Sequence, residues 1–135
     1  IQLQAPESLL GSFDAARVQQ VLINILENSA AFINQQQDGL ILLSVERIEA
    51  ADNYRDFEAG KHRSKSTLVL SIHNNGPSIP VDVQTHLFEP FISKRSGGSG
   101  LGLSIVRRIV DAHMGIIEYR EDCGWPVSFI VRLPE

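Results

Sequence analysis

The chain has a single cysteine, Cys123. It therefore has no internal disulfide to brace the fold, and a reducing cytosolic setting is expected. Long hydrophobic runs are missing too. No apolar stretch reaches bilayer length, and the N-terminus lacks a basic-then-apolar leader pattern. Any membrane anchor of the parent protein is expected outside this stretch. Nor is there an excess of basic charge: the net charge is −4 at pH 7, which argues against a nucleic-acid binder that needs a basic face. Basic residues gather only locally, near Lys61–Lys65, Lys94–Arg95 and Arg107–Arg108, and such runs read first as solvated surface. Repeats and low-complexity linkers are absent.

What is present is the balance of one globular domain. Of 135 residues, 43% are hydrophobic and 21% charged, enough for one core and too few for two domains. Asp14 is placed to cap a helix over Ala15 to Asn34, with Val18, Val21, Leu22, Ile25, Leu26, Phe32 and Ile33 as its apolar stripe. Leu40–Ile48 alternates as a strand with Ile41, Leu43 and Val45 on one face, and Glu49–Ser66 reads as a long exposed loop or a mobile hairpin tip. In a second strand, Thr67–Asn74, the residues Leu68, Leu70, Ile72 and Asn74 share a face. A glycine- and proline-marked turn follows at Asn75–Pro80, then a short helix near Val81–Leu87. An amphipathic helix starts near Gly100, burying Gly102, Ile105, Val106, Ile109, Val110 and His113 and leaving Arg107, Arg108 and Asp111 in water. Strands near Ile116–Arg120 and Val127–Leu133 close the domain. This order predicts an α+β, two-layer sandwich: a mixed sheet of about five strands with about three helices on one face.

Two features carry chemistry. Asn24 and Asn28 lie four apart on the first helix, so their amides project side by side at the border of the apolar stripe. They are either the rim of a pocket or a surface pair. The run Gly97–Leu103 is rich in glycine and leads straight into a helix. Free N–H groups and the positive end of the helix dipole there suit a phosphate. The run matches neither the dinucleotide fingerprint nor the P-loop.

In their order along the chain these elements resemble the ATP-binding domain shared by histidine kinases, type II topoisomerases, Hsp90 chaperones and MutL proteins. Gln19–Ala30 resembles the N box, Asn74–Pro80 the first glycine box, Leu87–Phe91 the F box, and Gly98–Leu103 the second glycine box; His113–Ile117 and Ser128–Pro134 resemble the closing strands. The family's ATPases carry a glutamate base where this chain has Asn24, which takes no proton, so an acceptor other than water is implied. The F box and the short span from Phe91 to Gly98 are similar to nitrogen-regulation-type sensor kinases. The resemblance implies a kinase module that binds Mg-ATP and phosphorylates a histidine. Asn28 would be the oxygen ligand of Mg²⁺, and Asn24 would help hold the phosphates with backbone groups near Ser99, Gly100, Leu101, Gly102 and Leu103. Lys94 and Arg95 would neutralise phosphate charge, Lys94 with a catalytic part beside Asn24 and Asn28. Asn74, Gly76, Ser78, Ile79, Phe91 and Val127 would line the base pocket. Glu27 reads as a solvated helix charge.

None of the four histidines fits the family's phosphoacceptor pattern, a histidine followed by an acidic residue: His62, His73, His86 and His113 precede Arg63, Asn74, Leu87 and Met114. The substrate histidine is therefore expected on a dimerisation helix outside this stretch. The implied partners are that dimerisation domain and a response regulator, in a parent protein that is homodimeric. Neither nucleic acid nor membrane is an expected partner of this stretch. At the base end the chain departs from the pattern: Asn74 replaces an aspartate that accepts from adenine, Ser78 replaces a glycine, and Val127 replaces a threonine. Three readings stay open: an active kinase module, a degenerate binding or docking module, and a free-standing ATPase.

Overall fold

The computed structural model describes residues 1–7, 11–33, 38–49, 66–90 and 102–135. Five strands form one mixed sheet in the order β1-β2-β3-β5-β4, from β1 (Gln2–Gln4), β2 (Ile41–Ile48), β3 (Thr67–Asn74), β4 (Ile116–Arg120) and β5 (Val127–Pro134). The helices are α1 (Ala15–Ile33), α2 (Val81–Gln84) and α3 (Gly102–Ala112). Among the described residues, only β1 pairs in parallel, with β2, and the other pairings are antiparallel. The two-layer α+β architecture expected from the element order is the one observed. Among the described residues, no helix is long and apolar enough to cross a membrane.

Strand alternation sorts side chains between two faces. Ile41, Leu68, Leu70, Ile72, Asn74, Val127, Phe129, Val131, Leu133 and Ile117 are buried, and α1 and α3 pack on the face these residues share. From the helices come Val21, Ile25, Leu103, Val106, Ile109 and Val110. Burying one such aliphatic side chain contributes about 1.5–3 kcal/mol. The cap expected of Asp14 is made: its Oδ1 accepts from the Arg17 N–H at 3.1 Å. At the other end of α3, Met114 takes a left-handed φ of 57°, the conformation that closes a helix C-terminus. Gly115 follows where only glycine fits, since a Cβ would stand 2.4 Å from the Arg132 carbonyl oxygen.

Some details differ from the sequence reading. On α3 it is Leu103 and Ser104 that are buried, with Gly102, Ile105 and His113 only half-buried. The expected helix at 81–87 is α-helical over Val81–Gln84 and continues as turns. Phe32, read as part of the apolar stripe, is 39% exposed near the end of α1. Ser66, read as the end of an exposed loop, is buried; its hydroxyl donates to the Glu135 carboxylate and accepts from Arg47 Nη2 at 2.9 Å. Residues 50–65 of that loop lie outside the described residues.

Candidate functional site

Helix α1 spans the sheet from one end to the other. Near its start, Val18 and Leu22 line a cleft with Phe13, Leu68, Arg47 and Glu135. Near its finish, Ser29 meets Asn74 at the last residue of β3. The predicted chemistry gathers at this second end.

Asn24 Nδ2 and Asn28 Oδ1 are buried there without a hydrogen-bond partner among the described residues. Leaving a buried polar atom unpaired costs about 1–3 kcal/mol, and native folds leave few of them. Two such atoms one turn apart on one helix mark a place built for something else to complete. One orphan is a donor, the other an acceptor. An amide oxygen without a donor suits a hard cation such as Mg²⁺, and an amide N–H without an acceptor suits a phosphate oxygen. The residues present thus fit the group that the sequence pattern implies. No cluster of three or more His, Cys, Asp or Glu side chains offers another metal site among the described residues.

Asn74 is fully buried. Its Nδ2 donates to Ser29 Oγ at 3.3 Å, and its Oδ1 accepts from the Gly76 N–H at 2.9 Å. The second bond folds the chain back in a turn of the kind asparagine favours. It also explains the glycine: a Cβ on residue 76 would sit 2.9 Å from Asn74 Oδ1. The next residue does a different job. Asn75 Oδ1 accepts from the Leu40 N–H at 2.8 Å and its Nδ2 donates to the Asp38 carbonyl at 2.7 Å, tying this turn to the entry of β2.

The far side of the turn is held by β4. Ile79 is buried and its N–H donates to the Tyr119 hydroxyl at 3.1 Å, while that hydroxyl donates to Glu121 at 2.7 Å. Burial first, then the hydrogen bond to Glu121, pushes the Tyr119 phenol up to about 12, so it keeps the proton it donates. Gln84 Nε2 adds bonds to the Ile79 carbonyl at 2.7 Å and to Glu121 at 3.2 Å. Ser78 is exposed, its hydroxyl 3.4 Å from the Pro126 carbonyl.

Val127, 2% exposed, stands opposite Asn74 in the β3–β5 register. On the reverse face the neighbouring pair is His73 and Ser128, bonded Nδ1 to Oγ at 2.7 Å, with Trp125 stacked on the imidazole. Burial lowers the His73 pKa. Gly102 opens α3, and among the described residues a Cβ there would meet nothing within 4 Å. The Leu103 side chain belongs to the core.

The structure thus brings Asn74 and Gly76 together beside Ser29, with Val127 opposite Asn74; Asn28 precedes Ser29 on α1 and Asn24 lies one turn further back. Ser78 and Ile79 lie on the next stretch of chain. Phe91, Lys94, Arg95, Ser99, Gly100 and Leu101 lie outside the described residues. Sequence reasoning missed Ser29 and Tyr119. Both left a signal: Ser29 continues the four-residue spacing of Val21 and Ile25, and Tyr119 shares the inward face of β4 with Ile117, where a hydroxyl needs a partner.

Comparison with known proteins fits this geometry. The sequence pattern of the histidine kinase-, DNA gyrase B- and HSP90-like ATPases matches residues 13–135. The sensory histidine kinase/phosphatase NtrB of Vibrio alginolyticus is 36% identical over 131 residues, 96% of this chain and 34% of that protein. NtrB of Rhizobium meliloti (strain 1021) is 42% identical over 101 residues, 73% of this chain and 25% of that protein. The chain therefore spans about a third or less of the length of these curated relatives. Among solved structures, the catalytic domain of histidine kinase ThkA superposes with a TM-score of 0.71 at 30% identity, covering 98% of this chain and 77% of that one. A mycobacterial sensor histidine kinase, MprB, shares the fold with a TM-score of 0.67 at 23% identity, over 98% of this chain and 81% of that one. Sequence pattern, relatives and fold agree, and the chain belongs to the histidine kinase-, DNA gyrase B- and HSP90-like ATPase family, as a histidine kinase ATP-binding domain.

Proposed function

We propose that this chain binds Mg-ATP and delivers the γ-phosphoryl group to a histidine on a dimerisation helix outside it, within a two-component sensor kinase. The observation that carries the reading is the pair of orphaned amide atoms on α1, the Asn24 donor and the Asn28 acceptor. Asn28 Oδ1 would hold Mg²⁺, and Asn24 Nδ2 would hold a phosphate oxygen. Bound Mg²⁺ supplies charge neutralisation on the phosphates. Phosphoryl transfer rests mainly on positioning and charge stabilisation, so the domain needs no nucleophile of its own. Asn24, where a hydrolase would carry a carboxylate base, takes no proton from water and disfavours hydrolysis. Lys94 and Arg95 would add positive charge, and the backbone of Ser99 to Leu103 would add N–H donors. The response regulator and the cytoplasmic setting belong to the same proposal.

Titration calorimetry with ATP, with and without Mg²⁺, tests the binding half. Micromolar to millimolar affinity that depends on Mg²⁺ is expected, and its absence would sink the reading. Incubation with labelled ATP and a separately supplied dimerisation domain tests transfer. A second reading, a degenerate docking module, is favoured by Asn74 and Val127, which stand where the family pattern has an aspartate and a threonine. Fold without nucleotide affinity is its signature.

A further inference from the structure

Asn74, which the proposed function sets against the base, presents a donor where the family pattern has an acceptor, and we infer that the site prefers a purine carrying a carbonyl at position 6 over adenine. This rests on the nucleotide-binding reading above and deepens it.

The argument starts from the amide of Asn74. Its orientation is fixed by chemistry: the Gly76 backbone N–H can only donate, so the atom 2.9 Å from it must be the oxygen. The nitrogen then faces α1, donating one hydrogen to Ser29 Oγ at 3.3 Å. A primary amide nitrogen carries two hydrogens, and the second has no partner among the described residues. Asn74 is 0% exposed, so that hydrogen is a buried donor left without a partner among the described residues. An aspartate in the same place would turn an oxygen outward and offer an acceptor.

Adenine's 6-amino group would therefore meet a donor with a donor. Hypoxanthine and guanine carry an acceptor there. An asparagine can read adenine with both ends of its amide at once, oxygen to the amino group and nitrogen to the ring. That mode needs Oδ1 turned toward the base, and here Oδ1 is held by Gly76. Among the described residues, no neighbour on the facing strand compensates. Val127, opposite Asn74 and 2% exposed, offers only methyl groups. Ser128, the next polar group on that strand, is bonded to His73 on the other face.

The test is direct titration of the natural chain with the Mg²⁺ complexes of ATP, inosine triphosphate and GTP, repeated on Asn74→Asp. Inosine triphosphate differs from ATP at position 6, with the accompanying ring proton, so it isolates the contact. It is expected to bind about three- to tenfold more tightly than ATP, the range of one neutral hydrogen bond. Asn74→Asp should invert the order to an ATP preference of about tenfold or more. A natural chain that binds ATP as tightly as inosine triphosphate, or more tightly, overturns the inference and leaves the proposed function intact. An inosine preference that survives Asn74→Asp also overturns it, by placing the determinant elsewhere. If neither nucleotide binds, both readings fall together. The natural chain's ratio decides the matter even if the variant does not fold.

Discussion

The two ends of the sheet bury polar groups in opposite ways. At the end where β3 begins, Ser66, Arg47 and Glu135 close on one another: the Ser66 hydroxyl donates to the Glu135 carboxylate, Arg47 Nε lies 2.8 Å from that carboxylate, and the Glu135 N–H donates to the Ser66 carbonyl at 2.9 Å. At the end where β3 finishes, Asn24 and Asn28 each leave a buried atom open. The same helix, α1, borders both. Polar burial that closes on itself holds the chain together; polar burial left open is what the proposed nucleotide site draws on.

The strongest break in this contrast is Asn28→Ala. It should reduce Mg²⁺-dependent nucleotide affinity by about 100-fold or more, a loss of about 2.7 kcal/mol. The melting temperature should stay within a few degrees, because no native bond to the orphan atom is lost. A variant that bound Mg-ATP like the natural chain would remove Asn28 from the site. The mirror experiment is Arg47→Ala. Arg47 is 39% and its Glu135 partner 13% exposed at the side chain, so the pair is partly solvated and stability should fall by about 0.5–1 kcal/mol in denaturant titration, with nucleotide affinity unchanged. A loss of affinity instead would mean that the two ends are not independent. Asn24→Ala should be milder than Asn28→Ala, because it removes a single amide donor to a phosphate oxygen and adds no like charge beside it, and calorimetry under the same conditions gives the ratio.

The smallest effect concerns pH. Burial holds the His73 imidazole below its ordinary pKa of 6.5. Below about pH 6.5 the unfolded chain takes up a proton that the folded one resists, so stability should decline as pH falls through that value, levelling off below the folded pKa. Unfolding curves at pH 7.5 and 5.5 measure it. His73→Gln should flatten the difference, and an unchanged slope would place its origin elsewhere.

Much of the fold was legible because periodicity is a direct record of burial. Val21 and Ile25 on α1, and Leu68, Leu70, Ile72 and Asn74 on β3, all lie where their spacing put them. The site was legible in part. Asn24 and Asn28 stand out as a polar pair at the edge of an apolar stripe, and each has one buried amide atom without a hydrogen-bond partner among the described residues. What spacing could not disclose was direction: that the Asn74 oxygen turns inward to Gly76 and its nitrogen toward Ser29. Nor could it disclose pairings between distant segments, such as Tyr119 with Ile79 or Ser66 with Glu135. Those depend on which strands become neighbours, and no local pattern encodes that.

The strand order has a consequence for solubility. The edges of the sheet are its two shortest strands, β1 with three residues and β4 with five, while the eight-residue strands β2, β3 and β5 all lie inside. An unpaired edge is a template for another chain, and a short one is a poor template. β1 carries Gln2 and Gln4, and β4 carries Glu118 and Arg120, polar or charged residues that further blunt both edges. Three weakly held residues thus stand between solvent and the long edge of β2. Losing β1 would cost little packing, since all of it is exposed, but it would leave β2 open to pairing with a second copy and favour self-association.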